Sequence, residues 1–398
     1  VAKFRINMPF EFYGIGKIIF GRGTISRAAE VAQSLGSAPL IIHNSDAAID
    51  LLQKSLAGLS VTVRRQRGEP IVSDIDAAVD EGRQKNCDSI IALGGGSAID
   101  AAKAVAGLLT NGGSAVDYME IVGSGRKITR PAAPWMAIPI TAGTGAEATR
   151  NAVIGLPEKH FKASIRSELL LPRVALIDPE LAVTVPPSVT ASSGMDALCQ
   201  LIESYTSTGA SPMTDILALR GIHLAARNLP RAFHDGNDVD AREAMAMAAL
   251  FSGMTLTSAG LGAVHGFASP LGANFPAPHG TICAALLPHL IAANIRALRE
   301  LPREAGGPVL ERYADIGREF PGLESAADVA AIDACMDFTA NLLKELHIPP
   351  LSQFGMTNAD VPEMVALARK ASSMRFNPVV LSDADLSRAL TDAIQTVN

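Results

Sequence analysis

Five short, continuous apolar runs in the first 180 residues constrain the fold more than any other feature of the chain. They are Pro39-Leu40-Ile41-Ile42-His43, Ser60-Val61-Thr62-Val63, Ser89-Ile90-Ile91-Ala92-Leu93, Trp135-Met136-Ala137-Ile138-Pro139-Ile140 and Val174-Ala175-Leu176-Ile177. Short aliphatic runs without polar alternation suit strands covered on both faces, as in a parallel sheet. Helical patterns such as Ile75–Lys85 and Ser97–Leu109 separate them. Strand–helix alternation predicts βαβ units and an open α/β sheet. The pattern changes after Asp178-Pro179-Glu180. Val185-Pro186-Pro187 ends an extended segment, and Ala241–Met254, Cys283–Arg299, Ala327–Leu346 and Pro362–Ala371 then read as helices. The expected organisation is an α/β domain over 1–180 and an all-helical domain over 181–398, with surface loops at Glu304–Pro308 and Pro321–Ser325.

Composition excludes several classes. Of 398 residues, 48% are hydrophobic and 19% charged, too apolar for a disordered chain. Aromatics are only 5%, so small aliphatic side chains must fill the interior. Lys plus Arg number 34 against 40 Asp plus Glu, which leaves no bulk basic footprint for nucleic acid or an anionic membrane. Pro, Gly and polar residues interrupt the apolar stretches short of about 18 residues, so no membrane span is expected. Residues 1–16 lack the apolar core of a signal peptide. Cys87, Cys199, Cys283 and Cys335 form no CxxC pair and read as buried or half-buried thiols in a reducing, cytoplasmic setting.

Two glycine-rich loops follow strands. Leu93-Gly94-Gly95-Gly96-Ser97-Ala98-Ile99-Asp100 opens a helix, where glycines permit close backbone approach and the helix N-terminus favours an anion such as a pyrophosphate. It is not G-x-G-x-x-G, since Ile99 takes the last glycine position, and a ligand-free tight turn is the alternative. Pro139-Ile140-Thr141-Ala142-Gly143-Thr144-Gly145-Ala146-Glu147 is the second loop, with hydroxyls suited to phosphate or ribose. Ligands of open α/β sheets bind beyond the carboxyl ends of the strands, where both loops belong.

The helical half holds Asp196 and Gln200 one turn apart, on one helix face. Downstream lie His265 and, in Pro278-His279-Gly280, His279. One Asp and two His from separate segments suit an open Zn²⁺ or Fe²⁺ site; a capping Asp and two satisfied histidines are the alternative. His43, His160, His223, His234, His289 and His347 read mainly as surface or packing histidines, His160 beside Lys159 and Lys162, and His43 close to the expected dinucleotide.

Together these motifs resemble the iron-activated (group III) alcohol dehydrogenase family. The matching pieces, in family order, are Phe20-Gly21-Arg22-Gly23, Gly94 to Lys103, Pro139 to Glu147, Lys162, Leu176-Ile177-Asp178-Pro179-Glu180-Leu181, Gly194-Met195-Asp196-Ala197-Leu198, His265, Pro278-His279-Gly280 and Asn377-Pro378. The resemblance implies a dehydroquinate synthase-like fold: an N-terminal dinucleotide-binding α/β domain, a C-terminal helical domain and an active site in the cleft. It implies hydride transfer between NAD or NADP and a small alcohol or aldehyde, and a homodimer or larger assembly. By the same resemblance, Gly94, Gly95, Gly96, Ser97 and Asp100 hold the pyrophosphate, Thr141, Thr144 and Lys162 line the cofactor site, and Asn44 stands at the ribose position. Asp196, His265 and His279 fall on catalytic metal-ligand positions, with Gln200 as a weaker fourth ligand for Fe²⁺ or Zn²⁺.

Three positions depart from the family pattern. Gln200 replaces a histidine, Ser269 replaces a further histidine four residues after His265, and Ile140 replaces a threonine. An amide is a poorer ligand than imidazole for either ion, yet the similar glycerol dehydrogenases use one Asp and two His. Asn44 is neutral where a carboxylate normally selects NAD, and Asp46 supplies the acid if the register shifts by two. The competing readings are a metal-independent reductase like the maleylacetate reductases, a lyase or cyclase like the dehydroquinate synthases, and a catalytically silent dinucleotide-binding protein.

Overall fold

The computed structural model describes residues 9–56, 58–159 and 161–395; His160 lies outside them. The chain divides into two compact units. One comprises Tyr13–Thr141 and Gly145–Val185, and the other contains Pro186 onward together with Ala142–Thr144. The boundary expected at 180/181 therefore falls at 185/186, and the second glycine loop is shared between the units.

The α/β unit is built on strands β1 (Lys17–Phe20), β2 (Pro39–His43), β3 (Thr62–Arg65), β4 (Ser89–Gly94), β5 (Trp135–Pro139) and β8 (Val174–Ile177). They form one parallel sheet in the order β1-β8-β5-β4-β2-β3. Helices α1 (Ala28–Leu35), α2 (Asp46–Ser55), α3 (Val72–Gln84) and α4 (Gly96–Asn111) cover it, and the one-turn α5 (Ala115–Tyr118) follows. Alternate residues of each strand feed opposite faces, which is why the runs are continuously apolar. Leu40, Ile42, Ile90, Ala92, Trp135 and Ala137 pack with α3 and α4. Ile41, Ile91, Leu93, Met136 and Ile138 pack with α1 and α2.

Sequence reading missed β1 and an antiparallel hairpin, β6 (Asn151–Leu156) and β7 (Phe161–Arg166). The hairpin does carry a period-two signal: Ala152, Ile154, Ala163 and Ile165 are buried. The run expected over 60–63 is strand only from Thr62.

The helical unit contains α6 (Pro187–Thr206), α7 (Pro212–His234), α8 (Val239–Ala259), α9 (Ala263–Asn274), α10 (His279–Glu300), α11 (Arg303–Arg318), α12 (Asp328–Glu345), α13 (Val361–Ala368) and α14 (Asp383–Ile394). At its centre, α10 packs against α6, α9, α11, α12 and α14. By length and hydropathy α10 matches a bilayer span, contrary to the expectation from interrupted runs; 78% of its most apolar window is buried in this core. The loop expected at Glu304–Pro308 is helical, the first part of α11. Gly306 is there for close packing rather than for a turn, since a Cβ on it would stand 2.2 Å from Leu298 O at the end of α10.

Candidate metal centre and dinucleotide loop

The chain leaves β2 toward β3 at the sheet edge, and leaves β4 in the opposite direction toward β5. The gap between β2 and β4 is thus the topological switch point, where open α/β sheets bind ligands. Asn44 and the first glycine loop meet there. Asn44 N donates to Leu93 O (3.2 Å). Its side-chain Oδ1 accepts from Gly95 N (3.1 Å), and Nδ2 donates to Ser97 Oγ (3.0 Å). Gly94 has φ +154, and a Cβ on it would stand 2.0 Å from Asn44 Oδ1, so only glycine fits. Gly95 is the N-cap of α4 and Gly96 its first residue, so the helix's positive dipole end opens at this loop. Thr141 Oγ1 lies 3.3 Å from the Cβ position of Gly95. Asn44, Gly94, Gly95, Gly96, Ser97 and Thr141 are therefore gathered at one place.

The other expected cofactor residues are engaged as follows. Asp100 turns both carboxylate oxygens inward, accepting from Lys103 Nζ (3.4 Å) and Val153 N (3.0 Å). It anchors α4 to β6 rather than extending the loop. Lys103, fully buried, also donates to Ala146 O (2.9 Å), Thr149 Oγ1 (2.7 Å) and Asn151 O (2.7 Å), so it holds the second loop's exit. Burial pushes the neighbouring Glu147 carboxyl up to about 7, against its own backbone N–H and the Lys103 charge. Lys162 sits half-buried on β7 opposite Gly155. Thr144 belongs with the helical unit, where Gly143 O accepts from Ser252 Oγ (3.2 Å). His43 contacts Ser45 O through Nδ1 (3.2 Å). Asp178 serves structure: its carboxylate accepts from Gly23 N, Ile25 N and Glu180 N at 3.0–3.2 Å.

The metal-ligand candidates converge within the helical unit. Asp196, Gln200 and Glu203 recur at i, i+4 and i+7 on α6 and share one buried face. Glu203 caps α9: Oε1 accepts from Val264 N (2.7 Å), and Oε2 accepts from His265 N (3.4 Å). Asn377 Oδ1 accepts from Ala263 N (3.1 Å), so three otherwise unpaired N–H groups of the first turn are satisfied by side chains. Glu203 Oε2 also accepts from His265 Nδ1 (2.7 Å), which orients the ring and aims Nε2 at Asp196 Oδ1 (3.2 Å). Helix α10 begins at His279. Its next residue, Gly280, lets it approach α6, since a Cβ there would stand 2.2 Å from Ser192 O. His279 Nε2 is 3.7 Å from Asp196 Oδ1. Cys283, one turn along α10, places Sγ 3.6 Å from Nε2 of both His265 and His279.

One donor atom from each of Asp196, His265, His279 and Cys283 lies within 4.8 Å of every other. Gln200 Nε2 donates to Asp196 Oδ2 (3.1 Å), while Gln200 Oε1 is buried and receives no hydrogen bond from the protein. A converging carboxylate, two imidazoles and a thiol, beside an orphaned buried carbonyl oxygen, fit a divalent cation. The groups are strongly coupled. Burial raises Asp196, but the His279 and His265 charges outweigh it and hold the carboxyl below its ordinary value. Burial lowers His279, but Cys283 and Asp196 push it up to about 9. Burial drives the Cys283 thiol well above its ordinary value. Ser269 is exposed on α9, one turn beyond His265.

Sequence reading missed Glu203 and Cys283. Both carried a helical signal, Glu203 two turns after Asp196 and Cys283 one turn after His279.

Residues 16–179 match the family described as iron-containing alcohol dehydrogenase, and residues 190–394 match the C-terminal region of the Fe-containing alcohol dehydrogenase family. The chain is 35% identical over 382 residues to alcohol dehydrogenase 4 of Schizosaccharomyces pombe, covering 94% of this chain and 86% of the relative. It is 30% identical over 389 residues to the NAD-dependent methanol dehydrogenase of Bacillus methanolicus, covering 94% and 97%. A crystal structure of a 1,3-propanediol oxidoreductase superposes with a TM-score of 0.88 at 30% identity, covering 97% of this chain and all of the other.

Proposed function

The chain belongs to the iron-containing alcohol dehydrogenase family and is an NAD(P)-dependent alcohol/aldehyde oxidoreductase; from that premise we propose that Asp196, His265 and His279 bind a catalytic Fe²⁺ or Zn²⁺ ion, and that NAD is the preferred cofactor. The observation that carries the metal reading is the convergence of Asp196 Oδ1 with Nε2 of both histidines, at 3.2 and 3.7 Å. A divalent cation held by these residues would supply Lewis-acid polarisation of the substrate oxygen. The rest of the work falls to the chain. Asp196 supplies the anionic ligand, and Gln200 orients it through the Nε2 contact. Glu203 accepts a hydrogen bond from His265 Nδ1, which keeps that proton on the ring and would leave the Nε2 lone pair to face the ion. Gly94 and Gly95 let the backbone approach the pyrophosphate, and the N-terminus of α4 stabilises its charge. A nicotinamide held at this loop would accept the hydride that alcohol oxidation removes from the carbinol carbon, with the hydroxyl proton released.

The preference for NAD rests on the end of β2. The Asn44 amide is already engaged by Gly95 and Ser97. Asp46, two residues on, exposes a carboxylate that disfavours a 2′-phosphate, although Arg65 pairs with it at 3.0 Å. Steady-state oxidation of short primary alcohols with NAD⁺ and NADP⁺, alongside metal analysis of wild type and Asp196→Ala, tests both parts. NAD⁺-favouring turnover that disappears with bound metal in Asp196→Ala is expected. Equal or better turnover with NADP⁺ overturns the cofactor assignment, and full activity in metal-free Asp196→Ala overturns the metal assignment.

A further inference from the structure

Relative to the commoner family set of one Asp and three His, this chain lacks one imidazole, because Gln200 stands at that position. The same centre holds a group that restores the count. Cys283 is fully buried, and its sulfur faces both ligand histidines at 3.6 Å. The spacing suits an ion. With bonds of about 2.0–2.3 Å, tetrahedral O, N and S ligands stand about 3.3–3.6 Å apart. The observed edges are 3.2 Å (His265 Nε2 to Asp196), 3.7 Å (His279 Nε2 to Asp196) and 3.6 Å twice to the sulfur. Gln200 Oε1, buried without a protein donor, independently marks this interior as a place for a cation or a donor from outside the chain.

We propose that Cys283 is a metal ligand in this protein, its thiolate taking the place of the missing imidazole and giving an Asp196, His265, His279, Cys283 donor set suited to Zn²⁺. The proposal rests on the metal reading above. A coordinating dication deprotonates a thiol outright, so the proton leaves to solvent as the metal–sulfur bond forms. Thiolate is a far stronger donor than a neutral amide, and a soft sulfur in a tetrahedral N, O, S set favours Zn²⁺ over the harder Fe²⁺. It also changes the charge of the centre. Asp196 and the thiolate together neutralise the dication, whereas one Asp and three His leave one positive charge. Gln200 then acts as a positioning residue, holding Asp196 through Nε2.

The test loads the metal-stripped protein with Co²⁺ and reads thiolate-to-cobalt charge-transfer absorption in the near ultraviolet. Wild type should show the band at one equivalent of Co²⁺. Cys283→Ser should bind Co²⁺ without the band, and its Zn²⁺ affinity in competition titration should fall by more than the about 10–100-fold typical of losing an outer partner. Gln200→Ala should keep the band, and so should Cys199→Ser, which controls for the neighbouring thiol. If Cys283→Ser does not fold, the band in wild type and its persistence in Cys199→Ser still decide. Stoichiometric Co²⁺ binding by wild type without the band, or a band that disappears with Cys199, overturns the thiolate ligand and leaves the metal reading intact. No binding of Co²⁺ or Zn²⁺ by wild type, measured by equilibrium dialysis, overturns both.

Discussion

The two functional regions are built from different materials. The dinucleotide loop is made of backbone: Gly94, Gly95 and the first turn of α4, pinned by one side chain, Asn44. The proposed metal centre is made of side chains from three helices, with Asp196 and His279 separated by 83 positions in sequence. A backbone site tolerates most neighbouring substitutions and is spoiled by an added Cβ. A side-chain site can exchange donors, because any helix face that reaches the centre can offer one. Gln200 and Cys283 illustrate that exchange.

The largest expected effect breaks the helical region alone. His265→Ala removes a proposed ligand and leaves Glu203 and Asp196 without their shared partner. Alcohol oxidation should fall by more than about 10³-fold in kcat/KM, above about 4 kcal/mol, with bound metal lost in parallel. NADH affinity should stay within about twofold of wild type, a change of less than about 0.5 kcal/mol. Fluorescence titration of NADH checks the second half; a large loss there would mean that the two regions do not act as separate binding elements.

A second test asks whether the α/β region is indifferent to its side-chain charges. Glu147, 3% exposed, holds its proton up to about pH 7 in the fold, whereas an ordinary glutamate releases it near 4.5. The native state therefore binds more protons across that interval, and stability falls as pH rises from about 4.5 to about 7. The full effect is about 3 kcal/mol. Glu147→Gln should remove this slope and raise stability at pH 8 relative to wild type, read by urea unfolding at pH 5 and pH 8. An unchanged difference between the two pH values would show that burial does not govern this carboxyl.

The smaller effect concerns the loop. Gly95→Val places branched carbons beside Thr141, whose Oγ1 lies 3.3 Å from the Cβ position. The dissociation constant for NADH should rise about 10–100-fold, about 1.4–2.7 kcal/mol, with metal content unchanged. Wild-type affinity in a folded Gly95→Val protein would move the pyrophosphate away from this loop.

The contrast also explains what the sequence revealed. The central strands were legible because burial on both faces leaves an uninterrupted apolar run, as in Ile90 to Leu93. The β6–β7 hairpin was not, because its signal is a weaker alternation interrupted by charges such as Lys162 and Arg166. The glycine loop was legible since its role follows from local turn chemistry, whereas Asn44 came from the family resemblance as a ribose position, and only the fold shows it bonded to Gly95 N and Ser97 Oγ. The partners of Asp100 were not legible, because only the fold shows that its carboxylate turns to Val153 N, 53 residues away. In the helical region Asp196, His265 and His279 stood out by ligand chemistry, with satisfied histidines as the alternative, and the family resemblance favoured the metal reading. Cys283 and Glu203 escaped because their meaning depends on three helices meeting, and no single helix carries that information.

The most direct test of a metal-assisted hydride transfer is the turnover of a short primary alcohol with NAD⁺ by enzyme stripped of metal with a strong chelator, before and after one equivalent of Zn²⁺ or Fe²⁺ is returned. Residual metal is measured on the same sample. Activity should fall with residual metal and return with the added ion, while NADH binding persists throughout. Full turnover in protein with no detectable metal would contradict it and assign the chemistry to positioning and hydrogen bonding alone.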